Sequence, residues 1–276
     1  MQSVVRRSSL IAAMAFLIIV SVIFLFPIYW LITSALKSTN VLWKIPPVWW
    51  PNRGWGHVWS VISANHLLVF FGHSFIESVV STLFVIVLAT LMAYSLTRHK
   101  WRHRTGIANF ILSLKIMPPI AVIIPVYLMF SLVGLYDTIL GMVLVYVLFN
   151  LPLATWLLIG FMRQVPVEID ESARVEGASE WQVLWHVILP LMKASLVGVA
   201  AVCVLFAWND YIFAVSLTSS HAVTLPVATQ GFLGDYIYQW SSFYAAGSLE
   251  IVPMIILALV LQKYLIRGLS MGALNT

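Results

Sequence analysis

Long, nearly uncharged apolar runs alternate with short polar connections along this chain. A run of roughly 20 apolar residues matches a bilayer, because in hydrocarbon every backbone N–H and C=O must be paired within its own helix. Six runs qualify, at about 10–33, 75–97, 107–131, 139–162, 192–216 and 243–264. The first is long enough, at ~1.5 Å per residue, to cross a hydrocarbon core of ~30 Å. Arg6 and Arg7 precede it as they would in a signal peptide, but no small-residue cleavage site follows, so a retained anchor is expected.

Composition agrees with that pattern. Over 276 residues, 61% are hydrophobic and 9% charged, and the mean hydropathy is +0.96. Such a chain has too little polar surface to coat a soluble globule. The reading is an all-α membrane protein with six transmembrane helices, organised as a single transmembrane domain over 1–276. A formal charge of +5 invites a nucleic-acid or phospholipid reading, but the positions of the cations supply a simpler cause and no nucleic-acid partner is expected. Arg6 and Arg7 lie before the first run, Arg98, Lys100, Arg102 and Arg104 in the second connection, Arg163, Arg174 and Lys193 around the fourth, and Lys263 and Arg267 at the end. Of the 15 Lys and Arg residues only Lys37, Lys44, Arg53 and Lys115 fall elsewhere. Cations gather on the cytoplasmic side of membrane proteins, which puts both termini there. The lone Cys203 sits in an apolar run and can form no intrachain disulfide.

The first outer connection, 34–74, carries Trp43, Trp49, Trp50, Trp55 and Trp59 among Pro46, Pro47 and Pro51. Indole rings prefer the membrane–water interface, so an aromatic belt is expected there, with docking of an external protein as the competing role. His57, His66 and His73 share the segment at spacings that match no compact metal motif.

One inner loop, 163–191, concentrates charge of both signs. Pro166 suits a helix start, and Glu168, Asp170 and Glu171 set negative charge against the positive helix end. Ala173 and Gly177, four apart, share a nearly bare face, and Gly177 permits the helix to stop. Ser179 and Gln182 form a capping box opening a second helix with apolar Val183, Leu184, Val187 and Ile188, which Pro190 is expected to close. With Glu168, Asp170, Glu171, Glu176 and Glu180 beside an anionic leaflet, this helix–turn–helix is unsuited to lie on lipid and suits a protein groove instead.

Glu171-Ser172-Ala173, Gly177, Val187 and Leu189-Pro190 keep the spacing of the cytoplasmic signature of bacterial ABC importer permeases, Glu-Ala-Ala, three residues, Gly, nine residues, Ile, any residue, Leu-Pro. Ser172 and Val187 replace Ala and Ile, both similar in size. Met117-Pro118, Trp208-Asn209, Thr224-Leu225-Pro226, Gly268 and Gly272-Ala273 extend the match in order. The chain thus resembles the permeases of the carbohydrate-uptake, maltose/polyol type. That resemblance implies a multi-pass protein of the bacterial inner membrane, a type I importer permease fold and a short cytoplasmic coupling helix. It implies partners too: a homologous second permease, two copies of an ABC ATPase subunit that bind ATP and Mg²⁺, and an extracytoplasmic solute-binding protein. The ATPase-coupling positions would be Glu168, Asp170, Glu171, Ala173, Glu176, Gly177 and Ala178. No Gly-x-x-x-x-Gly-Lys-Ser/Thr loop occurs, so the chain is read as a non-catalytic subunit without a cofactor of its own.

Polar residues within spans are costly and mark pathways by default, helix glue being the competing role. The candidates are Glu77, where this family commonly has Asn, Lys115 deep in the third run beside Pro118-Pro119, Asn150, the cluster Trp208, Asn209, Asp210 and Tyr211, and Glu250. Lys115 either lines a cavity or pairs with a partner subunit. The alternative class, an ion- or proton-coupled secondary carrier, usually shows internal repeats, and none is evident between the halves. An intramembrane enzyme needs a base, yet all seven histidines fall outside the span interiors. The expected function is half of a translocation pathway for a sugar, polyol or sugar derivative.

Overall fold

A computed structural model describes residues 2–99, 101–234 and 239–272. Lys100 and Ala273, used above, lie outside them. The described chain is helical: α1 (Gln2–Ala35), α2 (Thr39–Leu42), α3 (Trp55–Ala64), α4 (Leu67–Arg98), α5 (Arg104–Ile116), α6 (Pro119–Leu132), α7 (Ile139–Met162), α8 (Val167–Val175), α9 (Glu180–Trp208), α10 (Ile212–Leu217), α11 (Leu225–Gln230) and α12 (Trp240–Gly272). Five helices are long and apolar enough to cross a membrane, and a sixth crossing results if the bent pair α5 and α6 is counted as one span.

Two of the expected runs are corrected. The third is not continuous: α5 and α6 meet at 90°. Met117 and Pro118 are extended, with ψ of 122° and 132°, because a residue before proline is pushed out of the α region and Pro118-Pro119 supplies two such sites in a row. The fifth run is displaced. Pro190 does not close a short loop helix; α9 continues through it to Trp208. Immediately before Pro190 the helix widens to π geometry over Val183–Ile188, which relaxes the clash between a proline ring and the preceding turn. The helix ends at Asn209, so Ile212 to Ser216 form a separate short element rather than the end of a span.

The chain divides into two compact units, Met1–Leu68 with Thr229–Ile251, and Val69–Ala228 with Val252–Thr276. In the first, the expected aromatic belt is exposed at Trp43, Trp50, Trp55 and Trp59. Trp49 is exposed as well, packs edge-on to Trp30 at 5.8 Å between centroids, and accepts a bond from Tyr29 at its carbonyl at 2.8 Å. Lys37 is buried with its ammonium 4.1 Å from the Trp30 ring centre, a cation–π contact. His57 is held by Ser241 at 2.7 Å.

The core of the second unit joins α4, α7 and α9 through Val85, Ala89, Leu158, Met162, Ile188 and Met192. Small residues on α4 and α7 allow the close approach that association in lipid requires. Outside this core, the 218–222 turn is fastened to the start of α7 by one carboxylate. Asp137 Oδ1 accepts N–H bonds from Ser219, Ser220, His221 and Ala222 at 2.9, 3.1, 3.0 and 3.1 Å, and Oδ2 accepts the Ser219 and Ser220 hydroxyls at 2.9 Å each. Asp137 itself has φ 56°, a left-handed conformation that Asp tolerates better than most residues.

Candidate functional site

The loop between α7 and α9 folds as its local chemistry dictates. Glu168 and Asp170 occupy the first turn of α8. At its end Gly177 adopts φ +90°, the Gly177 N–H bonds the Arg174 carbonyl at 3.0 Å and the Ala178 N–H bonds the Ala173 carbonyl at 3.0 Å. That pair of bonds is a Schellman stop, available cheaply only to glycine. Ser179 N–H then donates to Gln182 Oε1 at 2.7 Å while Gln182 N–H donates to Ser179 Oγ at 3.4 Å, the reciprocal capping box that starts α9.

Between α8 and α9 lies an open groove of about 460 Å³ lined by Ala173, Glu176, Gly177, Ala178, Gln182, His186 and Val187. A Cβ built on Gly177 would meet nothing within 4 Å, so the bare face expected from Ala173 and Gly177 does border free space. Of the loop's acids Glu176 lines this groove and is exposed, and Glu168 and Glu171 are exposed elsewhere on α8, whereas Ala173 and Ala178 are half-buried against the chain's own core.

Asp170 corrects the picture of a wholly outward acidic face. Its side chain is 2% exposed and paired with Arg98 Nε at 2.5 Å, the Arg98 side chain being 4% exposed. Burial pushes the Asp170 carboxyl above its ordinary range, more than Arg98 and Arg174 draw it down. Arg98 also donates through Nη2 to the Val165 carbonyl at 2.9 Å. A second tie lies beside it: Arg174 makes a two-pronged contact with Glu180, Nε to Oε1 at 2.8 Å and Nη2 to Oε2 at 3.1 Å, and Tyr94 donates to Glu180 Oε2 at 2.6 Å. Sequence reasoning counted Arg98 only as a topology marker and gave Tyr94 no role. Their partners lie more than sixty positions away, where no spacing rule reaches.

The pathway candidates fall into separate neighbourhoods. Glu77 is fully enclosed, and neither of its carboxyl oxygens has a hydrogen-bond partner among the described residues. Asp210 lies within electrostatic reach of it. Asp210 Oδ2 accepts the Ala214 N–H at 3.1 Å and the Tyr146 hydroxyl at 3.4 Å, so it also serves as a helix cap. Trp208 is buried edge-on to Phe71 at 5.3 Å, while Asn209 and Tyr211 are exposed. Lys115 donates to the Phe149 carbonyl at 3.2 Å with its ammonium 4.6 Å from the Phe206 ring centre. Asn150 reaches the Cys203 carbonyl at 3.5 Å, a bridge from α7 to α9 of the kind expected of polar helix glue. Glu250 lies in the other unit and bonds Thr229. An apolar groove of about 440 Å³ between α4 and α9 is lined by Thr90, Leu91, Trp181, Leu184 and Trp185 among others.

Comparison with known proteins gives a consistent result. The model of the binding-protein-dependent transport system inner membrane component family matches residues 85–271. The trehalose/maltose transport system permease protein of Thermococcus litoralis is 30% identical over 94% of each chain. The melibiose/raffinose/stachyose import permease protein of Bacillus subtilis is 31% identical over 90% of this chain and 91% of the relative. Among solved structures, a bacterial ABC transporter involved in the import of the acidic polysaccharide alginate superposes with a TM-score of 0.74, covering 94% of this chain and 96% of the other at 22% identity. That likeness shows a shared fold.

Proposed function

The chain belongs to the family of binding-protein-dependent transport system inner membrane components, and from that membership we propose that it carries a sugar, polyol or sugar derivative and is driven through its 163–191 loop. As a family member it is a multi-pass translocation subunit of an importer in the inner membrane, working with a second permease, an ATPase and a solute-binding protein. The reading goes further on four points. Two ATPase copies, which bind ATP and Mg²⁺, serve the pair of permeases. Both termini face the cytoplasm. α8 with the Gly177 turn is the element that enters the ATPase. Glu77, Asp210 and Lys115 border the route of the solute.

One observation supports the coupling role: a glycine whose missing side chain faces open space, at the lip of a groove lined by the exposed Glu176. The carbohydrate class is supported by the names of relatives, which are given as permeases for trehalose and maltose, for melibiose, raffinose and stachyose, or for diacetylchitobiose. Gly177→Trp tests the coupling. The complex should still hydrolyse ATP, but the indole should hold the ATPase away and uncouple hydrolysis from uptake; normal uptake in this variant would overturn the docking role. For the solute, the cognate binding protein titrated calorimetrically against a panel of mono-, di- and trisaccharides and polyols should bind one class, and binding of amino acids alone would refute the carbohydrate reading.

A further inference from the structure

The 163–191 loop is covalently continuous with α7 and α9, but α4 reaches it only through side chains. We propose that Arg98 is a positioning residue that locks the coupling loop to the end of α4, so that α4 and α8 move as one body when the ATPase moves the loop. The inference rests on the reading of this loop as the ATPase-coupling element.

The geometry favours a stiff joint. Arg98 is in the last turn of α4 and Asp170 in the first turn of α8. Each charge therefore sits at the helix end whose dipole stabilises it. Arg98 binds two different parts of the loop at once, the Asp170 carboxylate and the Val165 carbonyl. Only arginine offers divergent donors from one planar group that stays charged. Both side chains are almost fully enclosed, at 4% and 2% exposure. Sliding α8 past α4 would leave both charges unpaired in a low-dielectric site, which is far more costly than breaking an exposed pair. The neighbouring Arg174–Glu180 pair is 35% and 50% exposed and can yield. Tyr94, one turn before Arg98, adds a hydroxyl-to-carboxylate bond from α4 to the first residue of α9.

The consequence extends along α4. Glu77 lies on the same helix, twenty-one residues from Arg98 and so ~31 Å away at ~1.5 Å per residue. A rigid α4 clamped at Arg98 transmits loop displacement to the enclosed Glu77 and its Asp210 neighbour. Side chains packed to a single arrangement behave in this way, switching between discrete positions rather than deforming.

The test uses the assembled complex of this chain, its partner permease and the ATPase in lipid nanodiscs. Nitroxides are placed at Ser172→Cys on α8, Leu83→Cys on α4 and Leu148→Cys on α7, all exposed positions, and distances are read by pulsed EPR before and after trapping with ATP, Mg²⁺ and vanadate. The expected result is an unchanged 172–83 distance together with an 83–148 distance that shifts by about 1–2 Å, the usual scale of helix translation. In Arg98→Ala, with the ATPase still bound and hydrolysing, the 172–83 distance should shift or broaden on trapping while the 83–148 change shrinks. Arg98→Lys, which keeps the charge but loses the second bond, should give an intermediate result and serves where Arg98→Ala fails to assemble. Restoration in the exchanged pair Arg98→Asp with Asp170→Arg would support the clamp. A 172–83 distance that changes in the wild type, or that stays fixed in both Arg98 variants, overturns it. If the ATPase does not co-purify with the wild-type chain, the coupling reading itself fails, a result distinct from either.

Discussion

Replacing Asp137 by Ala removes every side-chain acceptor that holds the 218–222 turn to the start of α7. A bond to a charged group contributes about 1.5–3 kcal/mol, but four such bonds do not add here, because the amides of Ser219, Ser220 and His221 belong to exposed residues and can turn to water once released. Only Ala222 is buried, so one N–H is left without a partner, at a cost of about 2 kcal/mol. Alanine at φ 56° adds about 1 kcal/mol of backbone strain that Asp tolerates better. The turn should thus open about 3 kcal/mol more easily, roughly a hundredfold loss of amide-exchange protection over 219–222, with little change elsewhere in the chain. Asp137→Asn keeps one carbonyl acceptor and tolerates the left-handed conformation, so it should lose only about 1 kcal/mol, near fivefold. Desolvation pushes the Asp137 carboxyl up, but the four backbone N–H bonds together outweigh it and hold the group below its ordinary range. A depressed carboxyl contributes stability that is complete above its unfolded value of about 4 and fades as pH falls toward the lower folded value. Protection corrected for intrinsic exchange should therefore be flat from neutrality to about pH 5 and decline below about 4. Exchange mass spectrometry in nanodiscs reads the wild type and both variants. Unchanged protection of 219–222 in Asp137→Ala would refute the reasoning, as would equal losses in Ala and Asn.

Two further outcomes follow from the same structure. A Cβ on Gly141 would collide with the Leu135 carbonyl and lie 3.0 Å from Thr138 Oγ1, both parts of the turn that caps α7. Gly141→Ala should destabilise by about 1–3 kcal/mol, visible as a lower thermal midpoint in detergent; an unchanged midpoint would mean that the turn can shift freely. Glu77 buries a carboxylate with no hydrogen-bond partner among the described residues, so Glu77→Met should leave the thermal midpoint unchanged or raise it while reducing uptake. A fall in stability with normal uptake would show Glu77 to be structural.

The order of residues alone determined that the chain is a helical membrane protein, because apolar runs of bilayer length have no other stable form in lipid. It also determined the local form of the coupling loop: the Gly177 stop and the Ser179–Gln182 box depend on atoms three to five residues apart, within reach of any helical turn. What proline does was legible only in part. A proline pair such as Pro118-Pro119 removes two N–H donors from a helix, but whether a helix bends, breaks by 90° or absorbs the ring in a π stretch, as before Pro190, depends on what packs around it. Side-chain partnerships were decided by tertiary structure alone. Asp170 reads as one more exposed acid in a charged loop until the end of α4 brings Arg98 against it, and Asp137 is unremarkable until the 218–222 amides converge on it. A helical period tells which residues share a face, whereas which faces meet is set by packing between segments distant in the chain.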